Sequence, residues 1–117
     1  MRLNEVTYSG TTPVDGYGPG FFRIGGARHD GALTLLPSGL ESWTGWDAVE
    51  PLLAAAADID VLLVGTGAEI AHAPTAFRDA LEAAGIGVEV MATPQACRTY
   101  NVLLGEGRRV GAAVFPV

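Results

Sequence analysis

Few residues in this 117-residue chain are able to do chemistry. Cys97 is the sole cysteine, and His29 and His72 are the sole histidines. Cys97 falls in the first turn of a predicted helix, where the helix dipole can lower a thiol pKa and create a nucleophile. A nucleophile also needs a base, and nothing in the sequence brings either loop histidine to it. Helical spacing aligns Cys97 with Tyr100 and Leu104 on the side expected to be buried, so a small core cysteine is the better reading. One cysteine rules out an internal disulfide, and two histidines are too few for a Cys/His zinc cluster. The absence of lysine removes Schiff-base chemistry and the P-loop lysine. The reading therefore leans away from an enzyme, with no catalytic residue, no metal and no cofactor assigned.

Three constellations could bind rather than react. Gly65-Thr66-Gly67 follows an apolar run, and Glu89 comes 24 residues after Gly65, which resembles a dinucleotide site in outline. Ile70 stands where the third glycine belongs, and the next helix starts near Pro74, too late to aim its N-terminus at a phosphate. A tight turn needing glycine is the plainer reading. Arg98 and Asn101 lie three apart, on the opposite side of their helix from Leu104, with Thr99 between them. They could hold a carboxylate or amide of a ligand or partner, or serve locally, Arg98 on a carbonyl or carboxylate and Asn101 on a loop. Trp43 and Trp46 flank a glycine turn. Trp46 matches a helical stripe and Trp43 is the freer of the two, yet packing is favoured over ligand stacking for both. Asp58 and Asp60 read as solvated, His72 as a loop residue, and Arg108-Arg109 as a turn.

The elements that must position these residues change character along the chain. Residues 9–20, rich in glycine and proline, read as a loop, with Val6 and Tyr8 on a short strand before it. Phe21–Ile24 reads as a strand, Gly25–Gly31 as a turn, and Ala32–Leu36 as the returning strand of a hairpin, closed by Pro37-Ser38-Gly39. The pattern predicts a helix from about Val49 to Ala57, with Pro51 in its first turn. Val61–Val64 is wholly apolar, as a strand covered on both faces should be. A helix from Pro74 with Gly85 as its C-terminal cap and a strand over Ile86–Met91 follow. Thr93 is expected to be an N-cap before Pro94, opening a helix to about Leu104, and Val110–Phe115 is the last strand. Residues 1–117 thus form one α/β domain in three layers, its helices packed on a central mixed sheet with an added N-terminal β-hairpin.

Composition limits the partners. Hydrophobic residues make up 49% and charged residues 17%, which excludes disorder. A net charge of −6 argues against nucleic acid and anionic membrane surfaces. The start has no apolar leader and no run approaches a membrane span, so a cytoplasmic protein with reduced Cys97 is expected. Every one of the 7 basic residues is arginine and alanine and glycine abound, which points to GC-rich bacterial coding DNA.

The C-terminal third carries a resemblance. Ala96-Cys97-Arg98-Thr99-Tyr100-Asn101, then Leu103-Leu104, Arg109-Val110 and Phe115-Pro116-Val117, are similar to the Mth938-like family of small single-domain proteins. Leu62-Leu63-Val64-Gly65-Thr66-Gly67, Pro74, Phe22, Ile24, Leu36-Pro37 and Trp43 extend the likeness upstream to about residue 21. It implies a three-layer fold around a mixed sheet and no established catalytic activity. It further implies relatives that act through protein partners, among them a mitochondrial complex I assembly factor and a cytosolic protein linked to adipocyte differentiation. A non-catalytic interaction or assembly module follows, with Gly65, Thr66, Gly67, Arg98, Thr99 and Asn101 as its candidate contacts. The alternative is a small-ligand protein or enzyme with a cleft between the Gly65–Gly67 turn and the Arg98–Asn101 segment. A structural homodimer is the third option.

Overall fold

The computed structural model describes residues 12–117, so the strand expected around Val6 and Tyr8 lies outside the described residues. Five strands form the central sheet: β4 (Leu33–Leu36), β5 (Gly39–Ser42), β6 (Val61–Gly65), β7 (Gly87–Met91) and β8 (Val110–Val114), in the order β5-β4-β8-β6-β7. The sheet is mixed. β6 runs parallel to both β7 and β8, while β4 is antiparallel to β8 and β5. The parallel pairs follow from the crossovers through α2 (Thr75–Ala83) and α3 (Thr93–Gly105), which must return the chain in the same direction.

Both faces of this sheet are covered, which explains the unbroken apolar run of β6. Leu62 and Val64 pack with Leu52 of α1 (Glu50–Ala54) and with Phe77 and Leu81 of α2. Leu63 points the other way, into a cluster with Ala96, Cys97 and Tyr100 of α3. That second cluster also receives Val14, Phe22 and Ile24 from a separate three-stranded sheet of β1 (Val14–Gly18), β2 (Phe21–Ile24) and β3 (Ala27–Asp30). The three-layer mixed architecture is therefore as expected, and the N-terminal addition is a small antiparallel sheet rather than a single hairpin.

The hairpin pairing is corrected. Phe21–Ile24 pairs with Ala27–Asp30, because Gly25 and Gly26 both adopt positive φ (61° and 80°) and make the two-residue turn that hairpins favour. Ala32–Leu36 instead supplies β4 to the central sheet, and a strand not anticipated, β5, pairs with it. The expected loop over residues 9–20 contains β1. Its glycines are tolerated because β1 is an edge strand whose register slips between Val14 and Gly16. The helix expected to reach Ala57 ends at Ala54, and Pro74 caps α2 instead of opening it.

Candidate functional site

Gly65-Thr66-Gly67 and the start of α3 form one interlocked unit. The Gly67 amide donates to the Thr93 hydroxyl at 2.8 Å, and that hydroxyl donates to the Phe115 carbonyl at 2.6 Å. The Thr93 amide returns a bond to the Gly67 carbonyl at 2.8 Å. Thr93 is fully buried and is not the N-cap expected of it: Ala92 holds that position, and no side chain caps the helix. Glycine is required at 65 because a Cβ there would lie 2.7 Å from the Thr93 hydroxyl and 2.9 Å from a Val114 methyl. At Gly67 the reason is φ, which is +110°. Thr66 closes the loop behind the turn, its hydroxyl donating to the Glu69 carbonyl at 2.7 Å and accepting from the Ala71 amide at 3.0 Å. The turn thus spends its polar groups on its own fold.

Asn101 is spent as well. Its carboxamide accepts from the Val14 amide and donates to the Val14 carbonyl, both at 2.8 Å, reproducing on one side chain the pairing of a neighbouring strand. It docks β1 onto α3 across 87 residues of sequence. Arg98 faces outward and is exposed, with no ion pair to any described residue. Val102, one turn further along, is 58% exposed, and Thr99 is half-buried. Of the six sequence-derived contacts, Arg98 alone presents its side chain fully outward. Thr93, which locks the turn to α3, is not among those six, although a hydroxyl beside the glycine turn in an apolar surround was its signal.

Cys97 and Tyr100 lie in the core, as expected. Burial pushes the thiol up to about 11, only partly offset by the Arg98 charge, and pushes the phenol to about 12. Both groups are thus held neutral, and the stability this provides is complete below pH 9, where the unfolded thiol is still protonated. It is lost as pH rises through about 11 and 12. The expected result is a thermal midpoint that drops across this alkaline range, and a thiol inert to maleimide in the native state. Rapid native labelling at neutral pH would contradict the assignment.

Trp43 is 5% exposed and more buried than Trp46, the reverse of the expectation. Its indole N–H donates to the Ala48 carbonyl, and both rings join Phe77 and Phe115 in one aromatic cluster. Asp60 is not purely solvated: it forms an exposed ion pair with Arg109 at 3.3 Å, of a kind worth little. Among the described residues, no group of three or more potential metal ligands converges, and no helix is long and apolar enough to cross a membrane.

Comparison with known proteins now bears on this geometry. Residues 14–115 match the family described as a protein of unknown function, DUF498/DUF598. The chain belongs to this family. An uncharacterized protein of Rhodobacter capsulatus is 50% identical over 117 residues, covering 100% of this chain and 94% of that one. The human NADH dehydrogenase [ubiquinone] 1 alpha subcomplex assembly factor 3 is 34% identical over 110 residues, covering 88% of this chain. The match spans 60% of the human protein's length. A crystal structure described as an outer membrane protein from Bartonella henselae superposes with a TM-score of 0.85 at 37% identity, covering 92% of this chain and 96% of that one. The Bordetella pertussis solution structure, a Mth938-like domain, superposes at 0.75 with 30% identity, covering 99% and 92%. The family resemblance read from Arg98 to Asn101 and the glycine turn is therefore correct.

Proposed function

We propose that this protein is a non-catalytic assembly factor of the bacterial cytoplasm that recognises a protein partner with the outer face of α3. The observation that carries this reading is the relationship to the human assembly factor, which takes in 88% of the chain. The local chemistry supports it. Arg98 and Val102 stand one helical turn apart and both are exposed, giving a cation beside an apolar side chain on a chain of net charge −6. An acidic group on a partner would meet the guanidinium in bidentate fashion while Val102 is covered. Gly65, Thr66, Gly67 and Asn101 serve this surface by fixing the helix that carries it, and half-buried Thr99 borders it. A ligand cleft between the glycine turn and α3 is the weaker reading, because the Gly67 amide and the Asn101 carboxamide are already bonded.

The test is affinity capture from the native cytoplasm with wild-type and Arg98→Ala protein, read by mass spectrometry. Loss of an interface arginine costs about 2 kcal/mol or more, roughly thirtyfold in affinity, whereas an exposed arginine contributes under about 1 kcal/mol to folding. The expected result is a partner recovered by the wild type and strongly depleted for Arg98→Ala, with little change in thermal midpoint. Undiminished recovery by a folded variant would place the interface elsewhere.

A further inference from the structure

On the sheet face opposite α3, the β4–β5 hairpin and α1 border a hollow of about 500 Å³. The volume suits a small organic ligand. Its polar lining is unusual for a seam between a sheet and a helix: Thr34, Ser38, Glu41, Ser42 and Thr44 all border it. None of these five side chains makes a hydrogen bond to another described residue. Thr34 is the telling member. It is 1% exposed, and its hydroxyl is buried without a partner among the described residues. A central strand facing a helix normally fills such a position with an aliphatic residue, since an unpaired buried hydroxyl opposes folding.

Register places a charge beside that hydroxyl. Thr34 is paired directly with Glu41 across the β4–β5 ladder, so both side chains project from the same face of the sheet. Among the described residues, Glu41 is the sole charged one lining the hollow, and no described arginine or histidine there balances it. The rest of the wall is apolar, with Trp43, Pro51 and Ala54 among its members. The Trp43 indole is fixed by its bond to the Ala48 carbonyl at 3.1 Å, so this wall is formed in advance. A carboxylate and hydroxyl oxygens, all able to accept, above an aromatic and aliphatic wall, match a primary ammonium carried on a compact apolar body.

We infer that the hollow between the β4–β5 hairpin and α1 is a binding site for a small primary amine, held by Glu41 with hydroxyl acceptors around it and by Trp43 along its apolar part. The site lies on the other side of the sheet from Arg98 and Val102, so it stands independently of the proposed partner surface.

The probe is 2-phenylethylamine, titrated at neutral pH into the isotope-labelled full chain, with 2-phenylethanol as the shape-matched neutral control. The expected result is saturable amide shifts confined to residues 33–54, with the alcohol binding at least tenfold more weakly. Glu41→Gln, a change at an exposed side chain, should weaken the amine at least tenfold and leave the alcohol unaffected. Thr34→Val should fold at least as well as the wild type, since it removes an unpaired hydroxyl, and should weaken the amine severalfold. No saturable shift with the amine in the millimolar range, equal binding of the alcohol, or full amine affinity in folded Glu41→Gln would each overturn the assignment.

Discussion

Thr93→Val is expected to be among the most damaging single-atom exchanges in this protein. Valine keeps the shape of threonine but removes the hydroxyl that accepts from the Gly67 amide and donates to the Phe115 carbonyl. The Gly67 amide, buried with Thr93, is left without a partner, while the half-buried Phe115 loses the bond to its carbonyl. An unsatisfied buried amide costs about 1–3 kcal/mol and the lost bond to the carbonyl about 0.5–1.5 kcal/mol, so a loss of about 2–4 kcal/mol is expected. For a domain of this size that lowers the thermal midpoint by roughly 8–16 °C. Thr93→Ser retains both bonds and gives up only a methyl, so it should lose about 1 kcal/mol. Gly65→Ala attacks the same lock sterically, since its Cβ would lie 3.0 Å from the Thr93 backbone as well as against the hydroxyl. Calorimetry of the three variants checks the argument: a Val variant as stable as the Ser variant would remove the hydroxyl from the account of stability.

How far the residues themselves reveal this molecule depends on where the deciding interaction lies. Val61–Val64 announces a two-sided buried strand because its apolarity is a property of the run itself, and β6 is covered on both faces. The glycine turn and the helix from Thr93 are likewise local and were read correctly in outline. β1, β3 and β5 carry no such signal. Ala27-Arg28-His29-Asp30 is polar, and Val14–Gly18 contains two glycines, so only hairpin and edge pairing makes them strands. The Gly25-Gly26 turn was the available cue for β3, and reading the whole stretch to Gly31 as one turn obscured it. The candidate site shows the same division. The spacing of Arg98 correctly put it on an outer helix face, while the role of Asn101 depends on a strand 87 residues away, which no local pattern encodes. No sequence pattern singles out Glu41 and Thr34, because their juxtaposition exists only once β4 and β5 are paired.

That long-range bond makes Asn101 the second sensitive position, and its loss is expected to act on one part of the fold. The Val14 amide and carbonyl are served by the Asn101 side chain, and Val14 is buried against α3. Asn101→Ala removes both bonds, at about 0.5–1.5 kcal/mol each, with a further penalty if Val14 stays buried. About 2 kcal/mol in all corresponds to roughly thirtyfold faster opening. Hydrogen exchange should therefore accelerate at Val14 and across β1 and β2, while β6 and β8, in the middle of the central sheet, keep their protection. Uniform acceleration across both sheets would mean that the small sheet does not open as a unit. Asn101→Asp sharpens the test through pH. Its ionised carboxylate can still accept from the Val14 amide but faces the Val14 carbonyl with no proton to donate. Its native pKa should therefore rise above the ordinary aspartate value of about 3.9. A raised carboxyl pKa contributes stability below the unfolded value that is lost as pH climbs through the native one. The Asp variant should accordingly come closer to the wild type in acid than at neutral pH, while Asn101→Ala shows no such recovery. A deficit in Asn101→Asp that does not change with pH would mean that the donor half of the carboxamide contributes nothing to holding β1 in place.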